Sequence, residues 1–151
     1  MAEPDAMEVL DVISRSVEET LRTGESFGRS LSAGSVVGLM GDLGAGKTHF
    51  VKGVARSRGV NPEHVSSPTF TIAHLYRGDV DIHHLDCYRL EDEEELIRTG
   101  MHEEIGGEGI CLIEWPQRIE GLLPAETILV SIEHGDSGSR RIRVFPPSSN
   151  E

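Results

Sequence analysis

A glycine-rich octapeptide, GDLGAGKT, occupies residues 41–48 and follows directly on the apolar run VVGLM. It satisfies the pattern G-x-x-x-x-G-K-[S/T], which is typical of phosphate-binding loops between a strand and a helix. In such a loop the glycines let consecutive backbone N–H groups surround a phosphate, and the lysine and the threonine serve the terminal phosphates and Mg²⁺. The octapeptide therefore predicts a nucleoside triphosphate site with Mg²⁺ as a cofactor. A glycine-rich turn with an incidental lysine is the less favoured interpretation.

Lysine is rare in this chain. Of its 14 basic residues only Lys47 and Lys52 are lysines, and the others are arginines. A lysine inside the glycine loop therefore indicates a specific role for Lys47 more than a general surface charge.

Three further residues could complete such a site. Asp86 follows the run IHHL and Glu114 follows ICLI, so each acid ends an apolar strand. A nucleoside triphosphatase needs an acid at such a position to hold Mg²⁺ or its waters, although an acid can also simply end a strand in solvent. Thr69, in SPTF, could reach the metal or the γ-phosphate as a switch residue, or belong to an ordinary turn. The sequence does not decide whether Asp86 or Glu114 is the direct metal ligand.

The nucleotide and the reaction class are only partly defined. Guanine specificity normally comes with an N-K-x-D element, and neither lysine follows an asparagine, so ATP is favoured over GTP. Three functions remain: an ATPase, a nucleotide-dependent binding module with incidental hydrolysis, and a small-molecule kinase. A metal site built on histidines is discounted, because His83 and His84 are adjacent on a predicted strand and so point to opposite faces.

Periodicity predicts the elements that position these residues. Strands are expected over 8–13, 36–40, 71–76, 80–86, 110–115, 127–133 and 140–145, and helices over 17–31, 48–57 and 91–100. Ser16 and Glu19 predict a capping box at the start of the first helix, and Gly100 is expected to end the last one. The fold class is a three-layer α/β P-loop nucleoside triphosphatase fold with a mixed, mainly central parallel sheet and antiparallel hairpins. A single domain is expected over 7–146, with disordered tails at 1–6 and 147–151. Along the first helix, Thr20, Gly24 and Gly28 form a small-residue stripe, which favours close packing on the sheet over the alternative, room for a ligand.

Composition limits the choice of partners. The net charge of −12 opposes a phosphate backbone, so direct and independent binding to nucleic acid is not expected. No stretch is long and apolar enough for a membrane span, and the acidic N-terminus is unlike a signal peptide, which predicts a cytoplasmic protein. Cys87 and Cys111 lie inside apolar runs and are expected to be small core residues.

Four motifs together resemble one known family. GDLGAGKT, SPTF, HLDCYRL (84–90) and IEWPQR (113–118), in this order and spacing, are similar to TsaE, the small bacterial ATPase of tRNA threonylcarbamoyladenosine biosynthesis. The resemblance covers about residues 16 to 145. It implies a Mg²⁺-dependent ATPase needed for N6-threonylcarbamoylation of adenosine 37 in tRNA, which is not itself the transferase. It also implies action with the TsaB–TsaD heterodimer, contact with tRNA only through that complex, and no membrane.

The resemblance also assigns roles to residues. Those expected to bind the nucleotide are Thr20, Gly44, Ala45, Gly46, Lys47, Thr48, His49, Trp115 and Arg140. Those expected to be catalytic are Lys47, Thr69, Asp86 and Glu114, and those expected to hold Mg²⁺ are Thr48, Asp86 and Glu114. Arg141 is one position away from Arg140, and the sequence leaves open which of the two reaches the nucleotide. His49 stands where the family often has a second threonine or serine, and Cys87 where an aliphatic residue is usual.

Overall fold

A mixed sheet forms the centre of the protein. The computed structural model describes residues 10–41, 46–65 and 73–147. Within these residues seven strands pair in the order β1-β7-β6-β2-β5-β4-β3. The strands are β1 (Leu10–Ser14), β2 (Val36–Met40), β3 (Ala73–Tyr76), β4 (Ile82–Asp86), β5 (Ile110–Glu114), β6 (Ile128–His134) and β7 (Arg140–Phe145).

The directions of the strands agree with those predicted from the sequence. β6, β2, β5 and β4 are parallel neighbours, whereas β3 pairs antiparallel with β4 at one edge, and β7 and β1 add antiparallel strands at the other. Parallel strands covered on both faces need continuous apolar runs, and β5 is buried at every position. The predicted α/β class, with central parallel strands and two antiparallel hairpins, is confirmed.

Three α-helices cover the sheet. They are α1 (Val17–Arg29), α2 (Lys47–Ser57) and α3 (Glu93–Thr99). The predicted cap of α1 is present: Ser16 Oγ accepts from the Glu19 amide at 3.0 Å, and Glu19 Oε1 accepts from the Arg15 amide at 2.6 Å. Gly100, at φ 80°, ends α3 as predicted. No helix in the described ranges combines the length and the apolar character of a membrane span.

Two hydrophobic cores lie on opposite faces of the sheet, which makes the fold three-layered. α1 and α2 cover the first core, in which Phe27 and Phe50 pack with their ring centres 5.6 Å apart. α3 and the 3₁₀ turn at Pro116–Leu122 cover the second core, which contains Cys87 and Cys111. Both cysteines are fully buried, as predicted, and burial raises the pKa of each thiol to about 12.

The two glycines of the small-residue stripe of α1 pack closely against α2, whereas Thr20 contacts Ser14 at the end of β1. A Cβ atom added at Gly24 would lie 2.2 Å from the Phe50 carbonyl oxygen, and one at Gly28 would lie 2.3 Å from Ser57 Oγ. From the other helix, a Cβ at Gly53 would lie 2.0 Å from the Leu21 carbonyl oxygen. The expectation of close packing on the sheet is confirmed for Thr20 and wrong for Gly24 and Gly28, because α1 and α2 lie side by side over the same core.

Candidate functional site

The two predicted acids meet at one edge of the sheet. In the parallel registers Asp86 is paired with Glu114, and Glu114 is paired with Leu39 near the end of β2. Paired residues of neighbouring strands project from the same face, and strands lie about 4.8 Å apart. Ligands of open α/β sheets bind outside the carboxyl ends of the strands, which is where both acids lie.

Lys47 begins α2 at this edge and is buried, with 5% of its surface exposed. Its Nζ donates to the Gly41 carbonyl oxygen at 2.7 Å and lies 3.7 Å from Glu114 Oε1. The same nitrogen lies 4.9 Å from the centre of the Trp115 ring. A buried ammonium group needs such partners. Lys47 is therefore held between the start of the glycine loop, an acid and an aromatic face.

Glu114 is held from its other side by a histidine. His84 Nε2 lies 2.6 Å from Glu114 Oε2, and both side chains are buried. Burial alone would raise the pKa of Glu114, but the hydrogen bond from His84 and the charges of His84 and Lys47 outweigh it and leave the pKa below its usual range. Glu114 is therefore an ionised carboxylate with one oxygen toward Lys47 and the other bound by His84.

The pKa of Asp86 is shifted in the opposite direction. Burial raises it above the usual range, and the neighbouring Glu114 adds to that rise. The backbone N–H of Tyr88, which donates to Asp86 Oδ1 at 2.9 Å, opposes the rise only in part. Two adjacent acids thus differ in proton affinity, an arrangement that is common at functional sites but also occurs in structural networks.

His84 continues into a short chain of polar side chains. His84 Nδ1 lies 3.1 Å from the Tyr76 hydroxyl, which is 3.4 Å from His74 Nδ1. His83 points to the opposite face, where its Nε2 lies 3.3 Å from Glu104 Oε1, as the alternation predicted. Sequence reasoning missed His84 as a partner of Glu114. The available signal was the spacing of two between His84 and Asp86, which places both on one face of β4.

Trp115 turns the chain sharply at the end of β5. Its φ of 59° and ψ of 53° are left-handed, although proline follows and normally favours an extended preceding residue. The indole lies 4.9 Å from the Tyr88 ring, and its Nε1 is buried with no hydrogen-bond partner among the described residues. A strained backbone and an unpaired buried donor are features that concentrate at functional sites.

The segments HLDCYRL and IEWPQR are also joined directly. The Arg118 guanidinium lies 6.0 Å from the centre of the Tyr88 ring, and its Nη1 donates to the Leu90 carbonyl oxygen at 2.9 Å. Neither Tyr88 nor Arg118 stood out in the sequence as a site residue. These contacts bring the two motifs together at one place in the fold.

The two late arginines are separated by the alternation of β7. Arg141 forms a bidentate ion pair with Asp11 of β1, at 3.0 and 2.7 Å. A Cβ atom added at Gly46 would lie 3.6 Å from Arg140 Nε, so Arg140 borders the glycine loop. The pKa of His49 is lowered by burial and by the charges of Lys52 and Arg140, which also places Arg140 near the start of α2. Arg140 is the arginine at the candidate site.

Thr20 and Thr48 are two further predicted residues that the structure describes. Thr20 is buried on α1 and its Oγ1 lies 2.7 Å from Ser14 Oγ, so its hydroxyl already has a protein partner. Thr48 is half-buried in the first turn of α2, beside Lys47. Three predicted residues lie outside the described ones: Gly44, Ala45 and Thr69.

The residues at this edge fit a nucleotide with Mg²⁺. Gly46, at φ 103°, adopts a backbone conformation suited to glycine directly before the N-terminus of α2, which favours anions. The oxygen donors of Asp86, Glu114 and Thr48 suit Mg²⁺, which is typically bound by one or two carboxylates together with substrate phosphates and waters. The described part of the chain holds no cluster of three or more metal-binding acids, histidines or cysteines that would form an all-protein cage.

Comparison with known proteins gives one consistent family. Residues 14–142 match the family described as threonylcarbamoyl adenosine biosynthesis protein TsaE. The tRNA threonylcarbamoyladenosine biosynthesis protein TsaE of Treponema pallidum is 43% identical over 132 residues, 87% of this chain and 97% of that protein. The protein of the same name from Aquifex aeolicus is 39% identical over 142 residues, 92% of this chain and 98% of that protein.

A solved structure agrees with the sequence relatives. The crystal structure of Bacillus subtilis YdiB superposes with a TM-score of 0.77 at 32% sequence identity, covering 93% of this chain and 88% of that one. From these matches and this geometry, the chain belongs to the TsaE family of threonylcarbamoyl adenosine biosynthesis proteins.

Proposed function

We propose that the chain is a Mg²⁺-dependent ATPase required for N6-threonylcarbamoylation of adenosine 37 in tRNA, acting with the TsaB–TsaD heterodimer in the cytoplasm. One observation carries the ATPase assignment. The single lysine of the glycine loop is buried at the carboxyl edge of the parallel strands, 3.7 Å from an ionised glutamate and beside a second acid. Family membership supports the assignment to the threonylcarbamoylation pathway. The fit of the site residues supports ATP with Mg²⁺ as the ligand.

Each residue at the edge has a task in this proposal. The glycine loop and Lys47 would hold the β- and γ-phosphates of ATP, and Arg140 would approach them from β7. Thr48, Glu114 and Asp86 would supply the oxygen side of the metal site, and the more basic Asp86 would orient the attacking water. Bound Mg²⁺ would neutralise the charge of the phosphates. Thr20 and Trp115 would lie beside the nucleotide, and Thr69 would be the switch residue.

The partner assignment is supported by charge. With a net charge of −12 the chain repels a phosphate backbone, so a partner is needed to hold the tRNA. In the proposal ATP hydrolysis resets the TsaB–TsaD complex between turnovers, and the chain transfers no carbamoyl group itself.

The test exploits the two lysines of the chain. Lys47→Ala should abolish ATP-supported tRNA modification in a reconstituted system with TsaB and TsaD, because it removes the cation at the phosphates. Lys52→Ala removes an equal charge from a later position in the same helix. It should leave the modification rate near that of the wild type. Wild-type modification by Lys47→Ala would contradict the proposal.

A non-hydrolysable ATP analogue separates hydrolysis from binding. With the analogue, an energy-coupling ATPase should support no more than a single round of tRNA modification. Continued turnover with the analogue would identify a nucleotide-dependent binding module. Transfer of label from γ-labelled ATP to a metabolite, instead of to free phosphate, would identify a small-molecule kinase.

A further inference from the structure

We propose that His84 is the residue that positions Glu114 for the reaction, and that Tyr76 in turn holds His84. The inference rests on the proposed ATPase function, because Glu114 is a metal-side acid only in that reaction. His84 lies too deep in the sheet to be offered to a ligand, since its exposed fraction is 0%. Its effect must therefore pass through the groups that it contacts.

The contacts divide the two oxygens of Glu114 between different partners. Oε2 is bound by His84 Nε2 at 2.6 Å, within the range of a strong charge-assisted hydrogen bond. Oε1 is 3.7 Å from Lys47 Nζ, beyond a hydrogen bond. The tighter contact therefore sets the orientation of the carboxylate. With Oε2 bound by His84, Oε1 on the Lys47 side is the oxygen that can bind a ligand at the site.

Tyr76 completes the arrangement by fixing the imidazole ring. An ionised carboxylate can only accept, so His84 Nε2 is the donor in its contact with Glu114. The Tyr76 hydroxyl lies 3.1 Å from Nδ1, and because a hydroxyl can donate or accept, it can bind Nδ1 whether or not that nitrogen carries a proton. Tyr76 is itself buried, at 5% exposed, on the edge strand that pairs with β4. Partners of this kind that orient ligating side chains commonly change activity or metal affinity by about 10- to 100-fold when removed.

Four variants distinguish positioning from mere core packing. His84→Leu fills the cavity but removes the donor, whereas His84→Gln keeps an N–H that can reach Glu114. Tyr76→Phe removes only the hydroxyl. His83→Leu is the matched control, because it changes the adjacent histidine of the same strand on the opposite face. All four are compared with the wild-type full chain in the presence of its partner complex.

The expected result is a separation of kcat from KM. His84→Leu should lower the kcat of ATP hydrolysis by about 10- to 100-fold, as expected for loss of a residue that orients a ligand, with little change in the KM for ATP. His84→Gln should recover most of the rate, and Tyr76→Phe should cause a smaller loss of the same kind. When Glu114 is already changed to Gln, His84→Leu should cause no further loss, because the two act through one group.

A second measurement does not depend on hydrolysis. In crystals of nucleotide-free His84→Leu, the Glu114 side chain should leave the orientation that it has in the wild type, whereas in His83→Leu it should keep it. An unmoved Glu114 carboxylate in His84→Leu, or a kcat equal to that of His83→Leu, would overturn the inference. If His84→Leu does not fold, an equal loss of kcat in His84→Gln and in Glu114→Gln would overturn it instead. If the wild type hydrolyses no ATP, the proposed function fails, and the crystals alone decide the positioning.

Discussion

Two consecutive arginines show how one position in a strand decides a role. Arg140 and Arg141 carry the same charge, yet β7 directs Arg140 to the glycine loop and Arg141 to Asp11 on β1. The Gly138 and Ser139 carbonyl oxygens accept from Arg140 Nη1, at 2.9 and 3.2 Å, and so hold that side chain near Gly46. The sequence could place an arginine here but could not choose between them, because the choice depends on the pairing register.

The two arginines therefore form a matched pair of variants. Arg140→Ala should weaken ATP binding or hydrolysis by about 10- to 100-fold, the value of a hydrogen bond to a charged group. Arg141→Ala should leave both unchanged and lower the free energy of unfolding by at most about 1 kcal/mol, because its ion pair with Asp11 is exposed. Isothermal titration with ATP and Mg²⁺ and a thermal melt give the two values. The opposite ranking would place Arg141 at the site.

Thr20 offers a test between a structural and a binding role. Its Oγ1 lies 2.7 Å from Ser14 Oγ, and Ser14 Oγ also donates to the Ser16 carbonyl oxygen at 2.9 Å. Thr20→Val should therefore lower the free energy of unfolding by about 1 kcal/mol through one lost buried hydrogen bond. Chemical denaturation measures that loss, and Thr20→Ser, which keeps the hydroxyl, is the control. A loss of ATP affinity in Thr20→Val but not in Thr20→Ser would show that the hydroxyl also reaches the nucleotide.

At the scale of elements, the close contact of α1 with α2 helps to fix the position of Lys47 relative to the acids of the site. α2 begins with Lys47 and carries Gly53, which packs on the α1 backbone, while Gly24 of α1 packs on Phe50. Packed cores transmit small displacements because they have few voids. A shift of one helix against the other would therefore move Lys47 relative to the acids on β4 and β5.

Enlarging Gly24 should show this coupling. Gly24→Ala places a Cβ 2.2 Å from the Phe50 carbonyl oxygen, so the helices must separate, and we expect a loss of about 1–3 kcal/mol in the free energy of unfolding. The nucleotide KM should also rise, because α2 carries the lysine. Ser26→Ala, an exposed change on the same helix, should stay within about 0.5 kcal/mol of the wild type. Unchanged stability in Gly24→Ala would mean that the interface adjusts without strain.

Sequence patterns could predict these elements but not all of their contacts. Continuous apolar runs identified β2 and β5 as central strands, and the capping residues located the start of α1 and the end of α3. The contact of His84 with Glu114 joins residues 30 positions apart and depends on the register of β4 with β5. The left-handed Trp115 had no signal either, because local preference before proline is for extended backbone.

At the scale of the whole molecule, the net charge opposes the binding of phosphates, whereas the candidate site favours it. The chain has 26 acids and 14 bases, yet Lys47 and Arg140 lie together at the loop that would meet phosphates. Two cations at the glycine loop of an acidic protein can bind a small polyphosphate, whereas a long phosphate backbone would also face the negative charge of the rest of the protein. The family and the fold could be inferred from motifs in order, while the partner-facing surface has no comparable pattern.

Binding of tRNA by the isolated chain should therefore be undetectable. In a filter assay with labelled tRNA at low salt, where electrostatic attraction is strongest, the chain alone should show no saturable retention. The TsaB–TsaD complex measured in the same way is the positive control. Saturable binding by the chain alone that weakens with salt would reveal a basic surface and would contradict indirect contact with tRNA.

The two buried thiols make this protein convenient for spectroscopic labelling. Cys87 and Cys111 are the only cysteines of the chain, both are fully buried, and burial raises the pKa of each to about 12. The thiolate is the nucleophile that attacks thiol reagents, so neither buried thiol should react while the protein is folded. A single cysteine introduced on the surface, for example at Ser26, could carry a fluorophore or spin label without removal of the native pair. Distances within the assembled complex could then be followed on the unaltered core.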